Sequence, residues 1–149
     1  MASALVVYAT ITGNNEDVAD IIVEALKKQG VDTEETEITM ADPADFEDVD
    51  ICVVCPYTYG EGTLPDEGLD FFDDLKEEKL DGKVFGVAGS GDKSYGEYYC
   101  KAVDSFDDAF AQTGATRGGG PVHINLNPDK DDIETLDKFA QELIDKANK

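Results

Sequence analysis

The 149-residue sequence contains no tryptophan, a single histidine, three cysteines and only 12 lysines and arginines. The shortage of basic residues argues against binding to nucleic acid or to an anionic membrane, because the 34 aspartates and glutamates would repel both. One histidine, His123, cannot build a metal site by itself, and an odd number of cysteines favours reduced thiols. We therefore expect no metal, no nucleic acid and no membrane among the partners of this protein.

Long hydrophobic runs are also missing. No segment approaches the ~20 consecutive apolar residues of a membrane span, and residues 1–5 lack the basic start of a signal peptide. We expect a cytoplasmic monomer of one domain, residues 1–149, large enough to bury a core without disulfides. The net charge of −22 favours the basic faces of other proteins as partners, although a need for solubility or a salty cytoplasm explains it equally well.

Short apolar segments alternate along the chain with segments whose apolar residues recur at helical spacing. Five strands and about five helices are predicted, and the central strands are apolar on both faces. This pattern indicates an α/β fold, with a parallel sheet and helices on both sides, that binds ligands beyond the carboxyl ends of its strands. The predicted strands are 5–8, 31–38, 51–55, 84–88 and 122–126. The clearest predicted helices cover 18–26, 69–75, 102–110 and 131–146. Gly30 is expected to end the first of these helices.

The loop after the first strand, Thr10–Glu16, has the composition of an anion site. Its glycine lets backbone approach a ligand closely, its threonines donate hydrogen bonds, and the start of the next helix offers unpaired N–H groups. The first basic residue of the chain is Lys27, and no P-loop or dinucleotide motif occurs here. A single terminal phosphate therefore fits better than a triphosphate, although a capped turn with Thr12 or Asn14 as N-cap is an equally good interpretation of this loop alone.

Two further loops, 56–65 and 89–99, each combine tyrosines with glycines directly after a buried strand. Either loop by itself is compatible with an ordinary turn. Two aromatic loops at one end of a sheet form a slot for a flat ring, and together with the phosphate loop they predict a phosphorylated aromatic ligand.

These loops resemble those of the flavodoxin family, and the resemblance covers the whole chain. Thr10–Glu16 resembles the phosphate loop, Thr58–Glu61 the second loop and Gly91–Tyr95 the third. The last strand and the last helix are joined without the long insertion found in one branch of the family, which is similar to the short-chain branch. The resemblance implies a three-layer, doubly wound α/β fold with a five-stranded parallel sheet in the order 2-1-3-4-5. It also implies non-covalently bound flavin mononucleotide (FMN) between strands one and three, a topology for which flavodoxin is itself the reference example.

The resemblance also assigns the cofactor-binding residues. Two departures from the family are Ile11 and Asn15, which stand where hydroxyl residues are common, and tyrosine replaces the frequent tryptophan at Tyr59. The implied phosphate site is Thr10, Ile11, Thr12, Gly13, Asn14 and Asn15; the second loop supplies Thr58, Tyr59, Gly60, Glu61 and Gly62; Tyr95 covers the other face of the flavin, and Ser90, Gly91, Asp92, Tyr98 and Cys100 contact its pyrimidine edge.

A flavodoxin-like function implies a low-potential one-electron carrier that shuttles FMN between semiquinone and hydroquinone. Rotation of the Gly60–Glu61 peptide would stabilise the semiquinone, and glycine makes that rotation inexpensive. Surrounding carboxylates would lower the potential of the second couple, because the reduced flavin is an anion. We expect no catalytic residues and no nicotinamide domain, so that electrons come from and go to partner proteins. The carboxylates expected to act are Glu61, Asp66, Glu67, Asp92 and Glu97.

Two other functions share this topology. An NAD(P)H:quinone reductase would admit nicotinamide over the flavin, which two flanking tyrosines would block. A receiver-type signalling module needs an aspartate at the end of strand three, where Cys55-Pro56 stands.

Three remaining features have ordinary structural interpretations. Cys52 and Cys55 are three residues apart on a strand, so their thiols should point to opposite faces of the sheet. Residues 118–121, three glycines and a proline, predict a flexible loop that leads into the last strand, on which His123 lies.

Overall fold

Six strands and four α-helices lie within the residues that a computed structural model describes, which are 3–9, 14–56, 66–91, 101–125 and 128–147. No predicted strand is misplaced, and strands and helices alternate as predicted except between the second and third strands, where no α-helix forms. The described residues therefore contain four α-helices where about five were expected. The elements are β1 (Ser3–Tyr8), α1 (Asn14–Lys28), β2 (Asp32–Glu37), β3 (Ile51–Cys55), α2 (Asp66–Leu75), β4 (Val84–Gly91), α3 (Lys101–Ala111), β5 (Thr116–Arg117), β6 (Val122–Asn125) and α4 (Lys130–Ala147).

The sheet is parallel, in the order β2-β1-β3-β4-β5, with β6 pairing β4 further along the same edge. This confirms the predicted doubly wound order, with one refinement. The predicted fifth strand is two pieces: Arg117 lies opposite Phe85 and Val122 opposite Ala88, so four residues, 118–121, face only two on β4. Such an insertion is tolerated at an edge, where no further strand needs the pairing.

Two of the three glycines of that insertion are packed against the core, which the predicted flexible loop did not anticipate. Gly118 and Gly119 are both buried. A Cβ at Gly118 would lie 2.8 Å from Leu143 Cδ2, and one at Gly119 would lie 3.0 Å from Phe139 Cδ2. Their missing side chains let α4 approach the edge of the sheet, so these glycines serve packing.

The end of α1 confirms the predicted role of Gly30. This glycine adopts a φ of +85°. Its N–H donates to the Lys27 carbonyl, and the next N–H, of Val31, donates to the Leu26 carbonyl, at 3.0 and 3.1 Å. These are the two hydrogen bonds of a Schellman motif, completed by the buried side chains of Val31 and Leu26.

Two hydrophobic cores lie on the two faces of the sheet. We call the side that α1 and α4 cover the aliphatic face, and the side that α2 and α3 cover the aromatic face. All five residues of β3 are buried, because that central strand contributes to both cores. On α4, Ile133 lies on the predicted apolar stripe but is 42% exposed, since the first turn of the helix extends beyond the core.

The connection from β2 to β3 contains two 3-10 helices, Ile38–Met40 and Pro43–Asp48, and no α-helix. Asp42 caps the second of them: its carboxylate accepts from the Ala44 N–H at 2.9 Å, while its own N–H donates to the Asp45 carboxylate. Short polar side chains and a proline favour such tight turns over a longer helix. Among the helices of the described segments, none has the length and apolar character needed to cross a membrane.

Candidate functional site

The carboxyl ends of β1 and β3 lie side by side where the strand order reverses. Tyr8 is the register partner of Cys55, and the Ala9 N–H donates to the Cys55 carbonyl at 3.0 Å. From here β1 leads through α1 on the aliphatic face, whereas β3 leads towards α2 on the aromatic face. Because the two connections diverge, a crevice opens between the strands, which is where ligands bind in this type of sheet.

The first turn of α1 lies at this crevice. Asn14 and Asn15 open a helix of 15 residues directly beyond β1, so its unpaired N–H groups and positive dipole end are at the carboxyl edge. Backbone donors of this kind suit a phosphate and need no basic side chain. The position of the helix therefore fits the phosphate end of FMN.

The chain that leaves β3 lies in close contact with β4. A Cβ at Gly89 would clash with the carbonyl oxygen of Pro56 and would lie 2.9 Å from Val103 Cγ2. Only glycine lets the end of β4 approach the chain that leaves β3 so closely. Sequence reasoning placed Gly89 in a loop and missed this role, although a glycine that ends an apolar strand is a known signal of close backbone approach.

The strand β4 is longer than predicted, and the third loop is correspondingly shorter. It continues through Ser90 and Gly91, which pair with Ile124 and Asn125. The predicted start of that loop at Gly89 is therefore wrong, because pairing with β6 holds these residues in the sheet. Ser90 is fully buried at the carboxyl end of the strand.

Four of the predicted cofactor-binding residues are thus placed at one edge: Asn14, Asn15, Ser90 and Gly91. Their contacts with the cofactor stay predictions. The remaining predicted positions lie outside the described residues: Thr10, Ile11, Thr12, Gly13, Thr58, Tyr59, Gly60, Glu61, Gly62, Asp92, Tyr95, Tyr98 and Cys100. Of the carboxylates expected to lower the potential, Asp66 and Glu67 open α2, next to the second loop.

Carboxylates border the first turn of α1 on its outer side. Asp20 and Glu35 share a hydrogen bond between their carboxyl groups, which requires one proton. Burial, this bond and the charge of Asp20 raise the pKa of Glu35 to about 7. Burial and, after it, the carboxylates Glu16 and Glu35 raise the pKa of Tyr8. The carboxyl end of β1 is thus bordered by carboxyl groups, and one pair of them gains charge as the pH rises through about 7.

The two described cysteines lie in different cores, as the strand period predicts. Cys52 is packed in the core of the aromatic face and Cys55 in that of the aliphatic face, and neither forms a disulfide within the described residues. Burial raises the pKa of Cys52 to about 12 and raises that of Cys55 as well. Buried thiols with raised pKa values stay protonated at neutral pH, which agrees with the predicted role of both residues in the core.

His123 lies on the last strand, β6, as predicted, and pairs with a helix next to it. Its Nε2 is 2.8 Å from Asp104 Oδ1 on α3. The pair joins the edge of the sheet to α3 and is part of the structure rather than of the crevice.

Comparisons with known proteins agree with this geometry. The sequence model of the Flavodoxin family matches residues 6–139. Probable flavodoxin 2 of Bacillus subtilis (strain 168) is 36% identical over 148 residues, which cover 99% of this chain and 97% of that protein.

Two solved structures are similar over nearly the whole chain. A short-chain flavodoxin associated with a non-canonical PDU bacterial microcompartment is 56% identical, with a TM-score of 0.97 and 99% of each chain covered. The flavodoxin of Streptococcus pneumoniae TIGR4 is 46% identical, with a TM-score of 0.94, and covers 97% of this chain and 99% of its own. The predicted family resemblance and sheet order are confirmed.

Proposed function

The chain belongs to the flavodoxin family of FMN-dependent electron-transport proteins, and from this premise we propose that it is a low-potential one-electron carrier between redox proteins. The observation that carries the proposal is the first turn of α1, which opens at the crevice between β1 and β3. FMN supplies the redox chemistry when bound, and the protein sets its environment.

The phosphate of FMN would be held by uncharged donors. The N–H groups that open α1 at Asn14 and Asn15 point to the carboxyl edge, and the hydroxyls of Thr10 and Thr12 precede them in the sequence. No lysine or arginine precedes Lys27, so the phosphate charge is not neutralised by an ion pair on this loop. Hydrogen bonds from backbone N–H groups and hydroxyls to a charged oxygen are strong enough to replace an ion pair.

The excess of carboxylates would disfavour the fully reduced, anionic flavin. A carboxylate at ~10 Å, with an effective dielectric constant between ~20 and ~80, costs about 0.4–1.7 kcal/mol. For one electron this is roughly 20–70 mV for each carboxylate before screening by salt. Asp66 and Glu67, at the start of α2, are the described residues of this group closest in sequence to the second loop.

The same charge would select the partners. An acidic rim attracts basic faces of reductases and acceptors and raises their association rates in a salt-dependent way. We therefore expect electron exchange with separate redox proteins, in a monomer, rather than reduction by NAD(P)H alone.

Binding of FMN can be compared with binding of riboflavin, which lacks the phosphate. Titration of the flavin-free protein, followed by flavin fluorescence, should give at least ~100-fold tighter binding of FMN. Thr12→Val should weaken FMN binding about tenfold and leave riboflavin binding unchanged, because only FMN presents a charged acceptor. The control Thr135→Val, on the exposed side of α4, should change neither affinity. Equal affinities for the two flavins would contradict the phosphate site.

The redox role needs a second measurement. In an anaerobic titration of the FMN-loaded protein, two separate one-electron steps are expected in the visible spectrum. Asp66→Asn combined with Glu67→Gln should raise the potential of the second step by roughly 40–140 mV, twice the effect of one carboxylate. Rapid reduction of the loaded protein by NADH or NADPH alone would favour the quinone-reductase alternative.

A further inference from the structure

A groove of about 430 Å³ lies on the aromatic face, between the outer strand β2 and the 3-10 connection that follows it. Leu5 of β1 and its register partner Glu34 point to this side of the sheet, and Met40 and Val49 form the opposite wall. The helices α2 and α3 cover β3 and β4 on this face but leave β2 to the short connection. The groove exists because no α-helix occupies the β2–β3 crossover.

The lining of the groove combines carboxylates with apolar side chains. Asp32 and Glu34 project from the outer strand, and Asp45 and Asp48 from the 3-10 helix, while none of the described lining residues is basic. Met40 is 80% exposed. Within the described part of the chain, Ile133 is the only other large apolar side chain that is exposed. Carboxylates that share a groove with an exposed thioether match a ligand that carries positive charges next to an apolar group.

The outer strand β2 also has an edge at which the backbone of another segment can pair. In the described sheet β2 has β1 on one side and no strand on the other. Extended segments bind at such edges, with alternate side chains directed to one face. A segment that places basic side chains over Asp32 and Glu34 would bring its neighbouring groups to the wall around Met40.

We propose that this groove docks an extended segment of a partner protein, rich in lysine and arginine and carrying an apolar side chain for Met40. That the partner is a redox protein rests on the proposed function, whereas the binding chemistry does not. Ser3 and Asp32 begin their strands and Asp48 lies just before β3, so the groove reaches the amino end of the sheet. Thr36 and Met40 lie at the other end of β2, so the groove follows this strand along its length.

The probe for this site is a fluorescein-labelled nonapeptide of alternating lysine and valine, and fluorescence anisotropy at about 0.15 M salt limits long-range attraction. Asp32→Asn combined with Glu34→Gln should weaken its binding about fivefold. The charge-matched control is Glu134→Gln with Glu142→Gln, exposed on α4 across the sheet, and it should change the affinity less than twofold. Met40→Ser should weaken the lysine–valine peptide but not a nonapeptide of lysine and serine.

Each outcome decides between docking and other roles of the charge. Equal weakening by the two double variants would overturn the groove and indicate general attraction to a negative protein. Unchanged peptide affinity together with self-association of the Asp32/Glu34 variant in light scattering would also overturn it, since the carboxylates would then only protect an open edge. The measurement is made with and without FMN: a protein that takes up no FMN but binds the peptide selectively would refute the carrier function and retain the groove.

Discussion

The two faces of the sheet are packed by different means, although the same strands build both. On the aliphatic face, α1 and α4 pack against the sheet. Gly86, Gly118 and Gly119 lack side chains there, which leaves room for Phe139 and Leu143 of α4. On the aromatic face, phenylalanine rings fill the space between the sheet and its helices. Those rings are Phe46, Phe71, Phe72, Phe85, Phe106 and Phe110.

The difference shows how a parallel sheet adapts to unequal covers. The 18-residue helix α4 packs closely against the sheet because glycines of the sheet face its side chains. The other side has shorter helices and a 3-10 connection, so volume must come from large side chains. The outer strand β2 is where this second cover ends and the acidic groove begins.

Loss of a ring should be the largest perturbation. Phe110 stacks on Phe85 with ring centroids 5.0 Å apart and is fully buried. Phe110→Ala should lower the free energy of unfolding by about 3–5 kcal/mol, because it removes apolar contacts and leaves a cavity. Urea denaturation measures this, and Phe72→Ala, at a partly buried ring, should cost clearly less. Equal costs at the two positions would refute a closely packed aromatic core.

Addition of a methyl group should disturb the aliphatic face instead. A Cβ at Gly86 would lie 2.5 Å from Phe139 Cζ and 2.9 Å from Leu143 Cδ2, so Gly86→Ala must displace α4. We expect a loss of about 1–3 kcal/mol in the same assay. Gly120→Ala is the control, because its Cβ would meet nothing within 4 Å. Similar stability of both variants would show that α4 does not depend on the close approach.

The ion pair of Arg117 tests the boundary of the aromatic face. Arg117 Nε donates to Asp107 Oδ1 at 2.9 Å, and its guanidinium lies 5.5 Å from the centroid of Phe85. The hydrogen bond to Asp107 is the main reason that the pKa of Arg117 is raised. Asp107→Asn should cost about 1–2 kcal/mol, since a buried acceptor is changed and the cation loses its partner. Asp108→Asn, at the exposed neighbour, should cost much less; equal effects would assign the loss to net charge alone.

The smallest effect concerns pH and the two sides of β2. With the pKa of Glu35 raised from 4.5 to about 7, the folded protein binds more protons than the unfolded chain between these pH values. Its contribution to stability is therefore lost as the pH rises through this range. Glu35→Gln should reduce the fall in Tm between pH 5 and pH 8, measured by thermal unfolding.

Glu34 provides the control, since it lies on the same strand as Glu35 but points to the aromatic face. Glu34→Gln removes the same formal charge and should leave the pH dependence close to that of the unchanged protein. A similar response of the two variants would attribute the effect to overall repulsion rather than to the Asp20–Glu35 pair.

Much of the fold was predictable because its signals are local. The apolar run 51–55, the helical spacing on α1 and α4 and the turn at Gly30 each depend on residues close together in the chain. Less was predictable where distant residues decide. The residues next to Gly118 in the sequence do not indicate its contact with Leu143, and those next to Gly89 do not indicate its contact with Pro56. A flexible loop and an early strand end were therefore predicted instead.

The candidate site divides in the same way. Residue types and spacing alone pointed to a phosphate and a flat ring, and the structure places Asn14, Asn15, Ser90 and Gly91 at the predicted edge. The pairing of Glu35 with Asp20 and the groove at Met40 were not foreseen, because both join segments that the chain separates.

By itself, the sequence determined the alternation of strands and helices, the family and the strongly acidic character, since periodicity, motifs and charge are properties of composition and order. Only the tertiary structure decided which face each strand residue joins, where glycine permits close approach, and where carboxylates meet. Those outcomes depend on distances between residues far apart in the chain, and packing sets such distances only when the whole sheet and both of its covers are assembled.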